Sequence, residues 1–280
     1  MSIEKWLSDT TGQFRMAGIG SARLDAELIL AHVLGKSREW LLAHNNEELT
    51  SQVLKQAQDD INRRIKREPL AYITGHKEFY GRSFMVTPDV LIPRPETEQL
   101  IKIVDRIHKK ISRKVDLFET LDVGTGSGAI AITLALELPN AQVTASDIST
   151  SALKIARMNA DDLGAKIKFI QADLLSNIQG KFNLITANLP YVDRTWPSSP
   201  EIKFEPEQAL FASDGGQELI KKLIRQAPRH LKPNGYLLLE LDPRQTRAIA
   251  EFARQQYFQI IGEYPFALEL RCTTQPTEEE

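Results

Sequence analysis

LDVGTGSGAIAI, residues 121–132, is the stretch that decides the fold of this chain. Its first residues suit a short strand, and its alanine- and isoleucine-rich end suits a buried helix. Between the two, Gly124, Gly126 and Gly128 remove side chains where the backbone must turn tightly and can approach a ligand. A strand, a glycine-rich turn and a helix in this order predict one unit of an open α/β sheet.

The same rhythm of strand, turn and helix continues after this stretch. Further strands are predicted at 142–147, 166–173, 182–188 and 236–241, with two more near the C-terminus. Helices are predicted at 129–138, 219–231 and 244–255. Alternation of this kind predicts a doubly wound, mostly parallel, seven-stranded sheet with helices on both faces.

The region before this sheet has a different pattern. Apolar residues recur at helical spacing through residues 1–70, which predicts a small helical domain. Residues 71–95 contain glycines, prolines and β-branched residues, which predict a hairpin-like linker, and residues 96–280 form the α/β domain. The basic run Arg63, Arg64, Lys66 and Arg67 is predicted to be a solvated helix end, and the alternative is a contact with an RNA-like or acidic partner surface.

Composition excludes several classes of protein. The net charge is -2 and the pI is about 6.3, whereas a protein that binds phosphate backbones usually carries a basic surplus. The single cysteine, Cys272, rules out a disulfide within the chain and favours a reducing compartment, the cytoplasm. The five histidines are scattered, so no metal site is expected. No signal peptide or membrane span is expected either.

A cofactor site is predicted at the carboxyl ends of the first three strands. Asp147 ends the second strand, where a carboxylate can accept hydrogen bonds from both hydroxyls of a ribose. Asp173, followed by Leu174, ends the third, where a carboxylate can accept from an adenine amino group. The glycine motif is G-x-G-x-G, more compact than the dinucleotide fingerprint, and suits a ligand without a pyrophosphate. The loop residues of this site are Gly124, Thr125, Gly126, Ser127 and Gly128.

Together these features resemble the class I methyltransferases that use S-adenosyl-L-methionine. That resemblance implies S-adenosylmethionine as the cofactor. Asn188 lies close enough to the same crevice to be included among the cofactor-binding residues.

The predicted acceptor site is NLPY, residues 188–191, at the end of the fourth strand. A planar amide or aniline-like nitrogen is a poor nucleophile because its lone pair is delocalised. The Asn188 side-chain oxygen and the Leu189 backbone carbonyl are two acceptors that can hold an NH₂ group. Pro190 fixes the turn, and Tyr191 offers a flat face to a planar acceptor. The simpler alternative is a strand that ends in a proline turn.

The NLPY motif resembles the Asn/Asp-Pro-Pro-Tyr/Phe motif of amino-methyltransferases, with Leu189 in place of the first proline. It also resembles the motif of ribosomal RNA adenine dimethyltransferases. More of the chain resembles the release factor glutamine methyltransferase family (HemK/PrmC type). The segments that carry this resemblance are EPLAYITG (68–75), EFYG (78–81), LIPRPETE (91–98), LDVGTGSGAIAI (121–132), ARMNA (156–160), FEPEQAL (204–210) and DGG (214–216).

The resemblance implies methylation of the side-chain amide nitrogen (N5) of the glutamine in the Gly-Gly-Gln loop of class 1 peptide chain release factors. The separate helical pattern of the N-terminal domain and its proline-stiffened linker predict that this domain recognises the substrate. Two other functions compete with glutamine methylation. An adenine-N6 methyltransferase acting on RNA or DNA needs the same motif, but it predicts a basic target-recognition domain. A non-catalytic binder does not need the complete glycine motif, the two strand-end acids and Asn188.

The resemblance implies roles for residues outside these two motifs. Arg94, Thr97 and Glu98 would close over the cofactor or the acceptor, although an ion pair at a helix start is an equally good interpretation. Glu205 and Pro206 would shape the wall of the acceptor pocket, and the alternative for them is a turn before a helix.

Overall fold

The computed structural model describes residues 1–111 and 115–273. Contacts divide the chain into a helical unit, Met1–His76 with Ser198–Phe204, and a sheet unit, Lys77–Pro197 with Glu205–Glu280. The division differs from the predicted boundaries because most of the predicted linker belongs to the sheet unit. The helical unit also includes a short segment from far downstream. The last seven residues of the predicted α/β domain lie outside the described residues.

The helical unit contains five helices. They are α1 (Ile3–Met16), α2 (Ala22–Leu34), α3 (Arg38–Ala43), α4 (Ser51–Ile65) and α5 (Leu70–Thr74). Hydroxyl side chains cap three of them, since Ser2, Ser37 and Thr50 accept from backbone N–H groups in the first turns of α1, α3 and α4. The helices enclose an apolar core of their own, which includes Phe14 and Leu30.

The predicted solvated helix end at the C-terminus of α4 is wrong for Arg64, which is only 6% exposed. Its Nε donates to Asp25 Oδ2 at 2.7 Å, and its Nη atoms donate to Glu201 Oε1 at 3.2 Å. Arg67 pairs with the same Glu201 at 2.7 Å. Glu201 lies on the downstream segment of the helical unit, so no local pattern around Arg64 could predict its partner.

The predicted hairpin linker is partly helical at its start. Helix α5 begins after Pro69 and ends at Gly75, whose left-handed backbone suits a helix end. The hairpin itself is shorter than predicted, with strands β1 (His76–Phe79) and β2 (Arg82–Met85). Residues 86–94 follow without a helix or strand.

The sheet unit alternates strands and helices as predicted. Its strands are β3 (Phe118–Val123), β4 (Ala141–Asp147), β5 (Ile167–Gln171), β6 (Phe182–Ala187), β7 (Leu231–Glu240), β8 (Phe258–Tyr264) and β9 (Ala267–Cys272). Its helices are α6 (Glu98–Ile111), α7 (Ala129–Glu137), α8 (Thr150–Leu163), α9 (Glu207–Leu210), α10 (Ser213–Gly216), α11 (Glu218–His230) and α12 (Thr246–Arg254). Short 3-10 turns lie at Pro95–Thr97 and Pro200–Phe204, the latter in the helical unit.

The seven strands form one sheet in the order β5-β4-β3-β6-β7-β9-β8. All pairs from β5 to β7 are parallel, and β9 runs antiparallel to both β7 and β8. The predicted doubly wound, mostly parallel, seven-stranded sheet is therefore confirmed. In the described part of the chain, no helix combines the length and the apolar character needed to cross a membrane.

The register of the central strands sets the position of the candidate site. Val123 at the end of β3 pairs with Ser146 of β4 on one side and with Ala187 of β6 on the other. Ala187 in turn pairs with Leu239 of β7. The strands therefore end in one row, and the chain leaves the sheet at neighbouring points, where ligands bind in open α/β sheets.

Candidate functional site

A cavity of about 280 Å³ lies at the carboxyl ends of these strands, entirely within the sheet unit. This volume is near the lower end of the range for small-molecule sites, roughly 300–1,000 Å³. The predicted site residues that line it are Arg94, Thr97, Gly124, Thr125, Gly126, Ser127, Asp147, Asp173, Leu174, Asn188, Leu189 and Pro190. Those that do not line it are Glu98, Gly128, Tyr191, Glu205 and Pro206.

The glycine loop has a backbone that other residues rarely adopt. Gly124, Gly126 and Gly128 have φ angles of 72°, 56° and 83°. A Cβ at Gly124 would lie 3.0 Å from Leu189 Cδ2, and one at Gly128 would lie 2.8 Å from Ile132 Cδ1. A Cβ at Gly126 would meet nothing within 4 Å. The outer two glycines therefore allow close packing within the protein, while Gly126 presents bare backbone to the cavity.

Asp147 holds this loop from the end of β4. Its Oδ2 accepts from the Gly126 backbone N–H at 2.9 Å, and its Oδ1 accepts from the Ser149 N–H at 2.9 Å. Burial raises the pKa of Asp147, and these backbone hydrogen bonds oppose that shift. Each carboxylate oxygen can accept more than one hydrogen bond, so Asp147 can hold the loop and still accept from a ligand in the cavity.

Asp122, which the sequence did not single out, supports the loop from beneath. Its Oδ2 accepts from the Thr125 hydroxyl at 2.7 Å, and its Oδ1 accepts from the Thr186 hydroxyl at 2.9 Å. Burial raises the pKa of Asp122 to about 7, although both hydroxyls favour the charged form. Asp122 thus connects the glycine loop to β6, the strand that leads into Asn188.

Asn159 connects the same loop to the hairpin. Its Nδ2 donates to the Ser127 carbonyl at 2.8 Å and to the Met85 carbonyl at 3.0 Å, while its Oδ1 accepts from the Met85 N–H at 2.7 Å. Asn159 belongs to the ARMNA segment. Its side chain satisfies backbone groups of two separate segments, which explains why a buried amide is placed on α8.

The second predicted cofactor acid, Asp173, is more exposed than the first, Asp147. Asp173 follows β5 and forms an ion pair with Lys222 at 2.8 Å. Leu174 beside it is buried and has a φ angle of 53°, a left-handed backbone that turns the chain at the cavity wall. Both residues line the cavity, so the structure brings them together with Asp147 and the glycine loop.

The NLPY motif lies beside the glycine loop. The Asn188 Nδ2 donates to the Thr97 hydroxyl at 3.2 Å, and among the described residues no donor reaches its Oδ1. Leu189 is buried against Gly124. The Tyr191 hydroxyl donates to Glu240 Oε1 at 3.2 Å, and burial raises the pKa of Tyr191. Tyr191 packs partly buried against the core instead of lining the cavity.

The backbone of Tyr191 is held by Gln245, which the sequence did not single out, and by the DGG segment. Gln245 Nε2 donates to the Tyr191 carbonyl at 2.9 Å and to the Gly215 carbonyl at 2.8 Å. A Cβ on Gly216 would lie 2.0 Å from the same Tyr191 carbonyl. Gly216 has a φ angle of 80°, so only glycine fits here. The DGG segment therefore fixes the position of the turn that carries NLPY.

The remaining predicted residues support the site without entering the cavity, apart from Arg94. Arg94 and Glu205 form an ion pair, and Glu205 Oε2 accepts from the Ile92 N–H at 3.1 Å. Glu98 Oε1 accepts from the Tyr80 N–H of the hairpin at 2.9 Å. Pro206 precedes α9 at its N-cap. In the described part of the chain, no group of His, Cys, Asp and Glu side chains is placed to hold a metal ion.

Comparisons with known proteins match both units. The model of the PrmC N-terminal domain matches residues 5–75, and the model of the methyltransferase domain matches residues 115–260. A release factor glutamine methyltransferase from Koribacter versatilis is 43% identical over 86% of this chain and 86% of its own length. One from Deinococcus radiodurans is 39% identical over 89% of each chain. The chain belongs to the release factor glutamine methyltransferase family.

A solved methyltransferase from Pyrococcus furiosus has the same fold. It is 17% identical and superposes with a TM-score of 0.52 over 79% of this chain and 99% of its own. The predicted family, fold class and type of enzyme are thus confirmed.

The residues present fit S-adenosylmethionine, the cofactor of this type of methyltransferase. Bare backbone at Gly126 allows close approach of a ligand, and Asp147 is an acceptor at the wall of the same cavity. Asp173 is a second acceptor, and Ile148 and Leu174 supply apolar surface. We propose Asp147 for the ribose hydroxyls and Asp173 for the adenine amino group.

Replacing Asp122 by Asn should change how stability depends on pH. The folded protein holds the Asp122 proton up to about pH 7, whereas an unfolded aspartate loses it near pH 4. This group therefore lowers the free energy of unfolding as pH rises through that interval. Between about pH 4 and pH 7, the free energy of unfolding of Asp122→Asn should rise relative to that of the parent, by up to about 1.4 kcal/mol per pH unit. Above this interval the difference should level off.

Urea unfolding at a series of pH values measures this difference, with the exposed Asp162→Asn as the control. A difference between Asp122→Asn and the parent that does not vary with pH contradicts the prediction.

Replacing Asp147 by Ala should weaken the binding of S-adenosylmethionine by about 1.5–3 kcal/mol, the scale of hydrogen bonds that involve a charged group. Isothermal titration calorimetry measures the affinity, and far-ultraviolet circular dichroism checks the fold. The control is Asp162→Ala, which removes an exposed acid on α8 and should bind S-adenosylmethionine with the affinity of the parent. Equal affinity of a folded Asp147→Ala variant would remove Asp147 from the cofactor site.

Proposed function

We propose that this protein transfers a methyl group from S-adenosylmethionine to the side-chain amide nitrogen of a glutamine. The substrate is the Gly-Gly-Gln loop of class 1 peptide chain release factors. The observation that carries the proposal is the position of Asn188, at the wall of the cofactor cavity and beside the glycine loop. Membership of the release factor glutamine methyltransferase family supports the choice of substrate.

The chemistry demands positioning more than proton transfer. When bound, S-adenosylmethionine supplies a methyl group on a positively charged sulfonium. A glutamine amide nitrogen must be held so that its lone pair, which is delocalised, faces that carbon. Asn188 Oδ1 is an acceptor for one N–H of the amide, and the Leu189 carbonyl is an acceptor for the other. Both acceptors stabilise the positive charge that develops on the nitrogen.

No general base has to act before the attack, because the amide proton becomes acidic only as the new bond forms. Tyr191 stays neutral, since burial raises the pKa of its hydroxyl. Its role is to fix the turn after Pro190 through the hydrogen bond to Glu240. Orientation of the acceptor therefore supplies much of the rate enhancement.

An adenine-N6 methyltransferase would present the same kind of NH₂ group to Asn188. Two observations favour glutamine. The net charge of -2 is unlike that of a protein that binds phosphate backbones. Within the helical unit, Arg63, Arg64 and Arg67 of the basic run pair with acidic side chains of the same unit, which leaves less positive charge for a nucleic acid.

We also propose that the helical unit recognises the body of the release factor, and that the protein acts in the cytoplasm, where release factors work. The match of residues 5–75 to the PrmC N-terminal domain supports this role. In this arrangement the sheet unit binds the glutamine amide and the cofactor.

Replacing Asn188 by Ala should lower the single-turnover rate of release factor methylation by about 10²–10³, by analogy with the loss of one oxyanion-hole donor. The affinity for S-adenosylmethionine should stay close to that of the parent. Asn188→Asp keeps an acceptor oxygen and should retain more activity than Asn188→Ala. The control is Asn62→Ala, an exposed amide on α4. A parental rate for Asn188→Ala, or a change in KM alone, would show that another residue holds the acceptor amide.

Binding of a release factor should slow hydrogen exchange at backbone amides of the helical unit. A short peptide that contains only the Gly-Gly-Gln loop should slow exchange in the sheet unit alone. Exchange measured by mass spectrometry with each ligand compares the two. If the whole release factor leaves the exchange of residues 1–76 unchanged, the helical unit does not recognise it.

A further inference from the structure

Glu240 is a buried carboxylate directly behind the acceptor motif. It is the last residue of β7 and is 1% exposed. Leu239 pairs with Ala187 of β6, so Glu240 and Asn188 are the next residues on two neighbouring parallel strands. Glu240 does not line the cavity. It lies outside the cavity, behind the residues of the acceptor motif, and can act on the acceptor through them.

Glu240 differs from the other buried glutamate of the same sheet. Glu269 on β9 is also 1% exposed, accepts from the Tyr264 hydroxyl at 2.9 Å and pairs with Arg106. Glu240 likewise accepts from a tyrosine, Tyr191, but no salt bridge within residues 1–111 and 115–273 reaches it. An uncompensated buried carboxylate is costly for stability, which points to a functional role.

The neighbours of Glu240 are the polar side chains of the acceptor site. Tyr191 donates to its Oε1, while Thr97 and Asn188 lie close enough to favour its charged form. Its Oε2 is buried and makes no hydrogen bond of normal geometry. Thr97 in turn accepts from Asn188 Nδ2 at 3.2 Å. Hydrogen bonds of this kind are often long in an unliganded site and shorten when the substrate binds.

The chemistry of a carboxylate fixes the direction of this network. An ionised carboxylate only accepts hydrogen bonds, so a Thr97 hydroxyl that turns toward Glu240 can only donate to it. The Thr97 oxygen is then left to accept from Asn188 Nδ2, the contact that the structure shows at 3.2 Å. The group of Asn188 that faces Thr97 and Glu240 must then be its NH₂. Because an amide carries its oxygen on the opposite side, Asn188 Oδ1 remains free to accept from a substrate. The reverse orientation would present an NH₂ group to the NH₂ group of the acceptor.

We propose that Glu240 is a positioning residue that sets the orientation of the Asn188 amide, through Thr97, and of the Tyr191 ring. The proposal rests on the proposed function, since it assigns Asn188 Oδ1 to the acceptor amide. The acceptor class it selects is one that presents an NH₂ group, as the side-chain amide of glutamine does. An acceptor hydroxyl or thiolate does not need this fixed orientation.

The ionisation of Glu240 adds a pH dependence. Burial, together with the nearby Glu96, raises its pKa to about 7 against the opposing effect of Thr97, Tyr191 and Asn188. Opposite Glu240 on β9 is the neutral Ala267. A protonated Glu240 can donate, and the direction of the network is then no longer fixed. The methylation rate should therefore fall as pH drops below about 7.

The test is the single-turnover methylation of a class 1 release factor by Glu240→Gln, measured across this pH range with saturating S-adenosylmethionine. Gln keeps the shape but can donate as well as accept. The rate should fall by about 10- to 100-fold, the scale of a small misplacement of reacting groups. The part of the pH profile that depends on Glu240 should disappear, and the Kd for S-adenosylmethionine should stay at the parental value.

Glu269→Gln is the matched control, because it makes the same change at an equally buried glutamate that also accepts from a tyrosine. It should keep the parental pH profile and rate. If Glu240→Gln does not fold, Thr97→Val tests the same network, and Thr97→Ser should restore the rate by restoring the hydroxyl.

Parental rates and pH profiles in Glu240→Gln and Thr97→Val would overturn the proposal, as would an equal loss of rate in Glu269→Gln. A parent enzyme that does not methylate release factors would instead overturn the proposed function, and the role of Glu240 with it.

Discussion

The candidate site depends on the close approach of two backbones at the carboxyl ends of β3 and β6. Val123 and Ala187 pair in register, and beyond them one chain becomes the glycine loop and the other becomes NLPY. A Cβ on Gly124 would lie 3.0 Å from the Leu189 side chain. Because glycine lacks this atom, the glycine loop and the NLPY turn pack against each other and line the same cavity. The register of β3 and β6 thus sets the distance between the glycine loop and Asn188.

Local sequence was enough to predict the parts of the site that a strand end or a tight turn requires. Asp147 ends β4, Asn188 directly follows β6 and Gly126 lies in the turn after β3, so their place at the crevice follows from chain order and parallel pairing. Partners from distant segments carry no such signal. Gln245 holds the Tyr191 carbonyl across 54 positions of sequence, and nothing around Gln245 indicates this. The DGG segment was recognised through family resemblance, but its purpose became clear only from the contact of Gly216 with Tyr191.

Burial was the other property that sequence did not supply. Asp122 lies inside the glycine motif 122–128, and Glu240 lies in a run of leucines that predicts a core strand. Both are almost fully buried, and burial raises the pKa of each to about 7. Each lies beneath a different half of the site, Asp122 under the glycine loop and Glu240 behind NLPY. A protein gains no stability from such groups, so their placement is best explained by the orientation they impose.

The segment Ser198–Phe204 makes the helical unit discontinuous in sequence. By contacts it belongs with Met1–His76, although along the chain it lies between Tyr191 and Glu205. The helical unit is therefore not a contiguous module that recombination could move as one piece of a gene. A transplanted N-terminal region alone would leave Glu201 behind, and Arg64 would remain buried with Asp25 as its only carboxylate partner. An exchange of the helical unit between relatives must therefore carry two separate segments together.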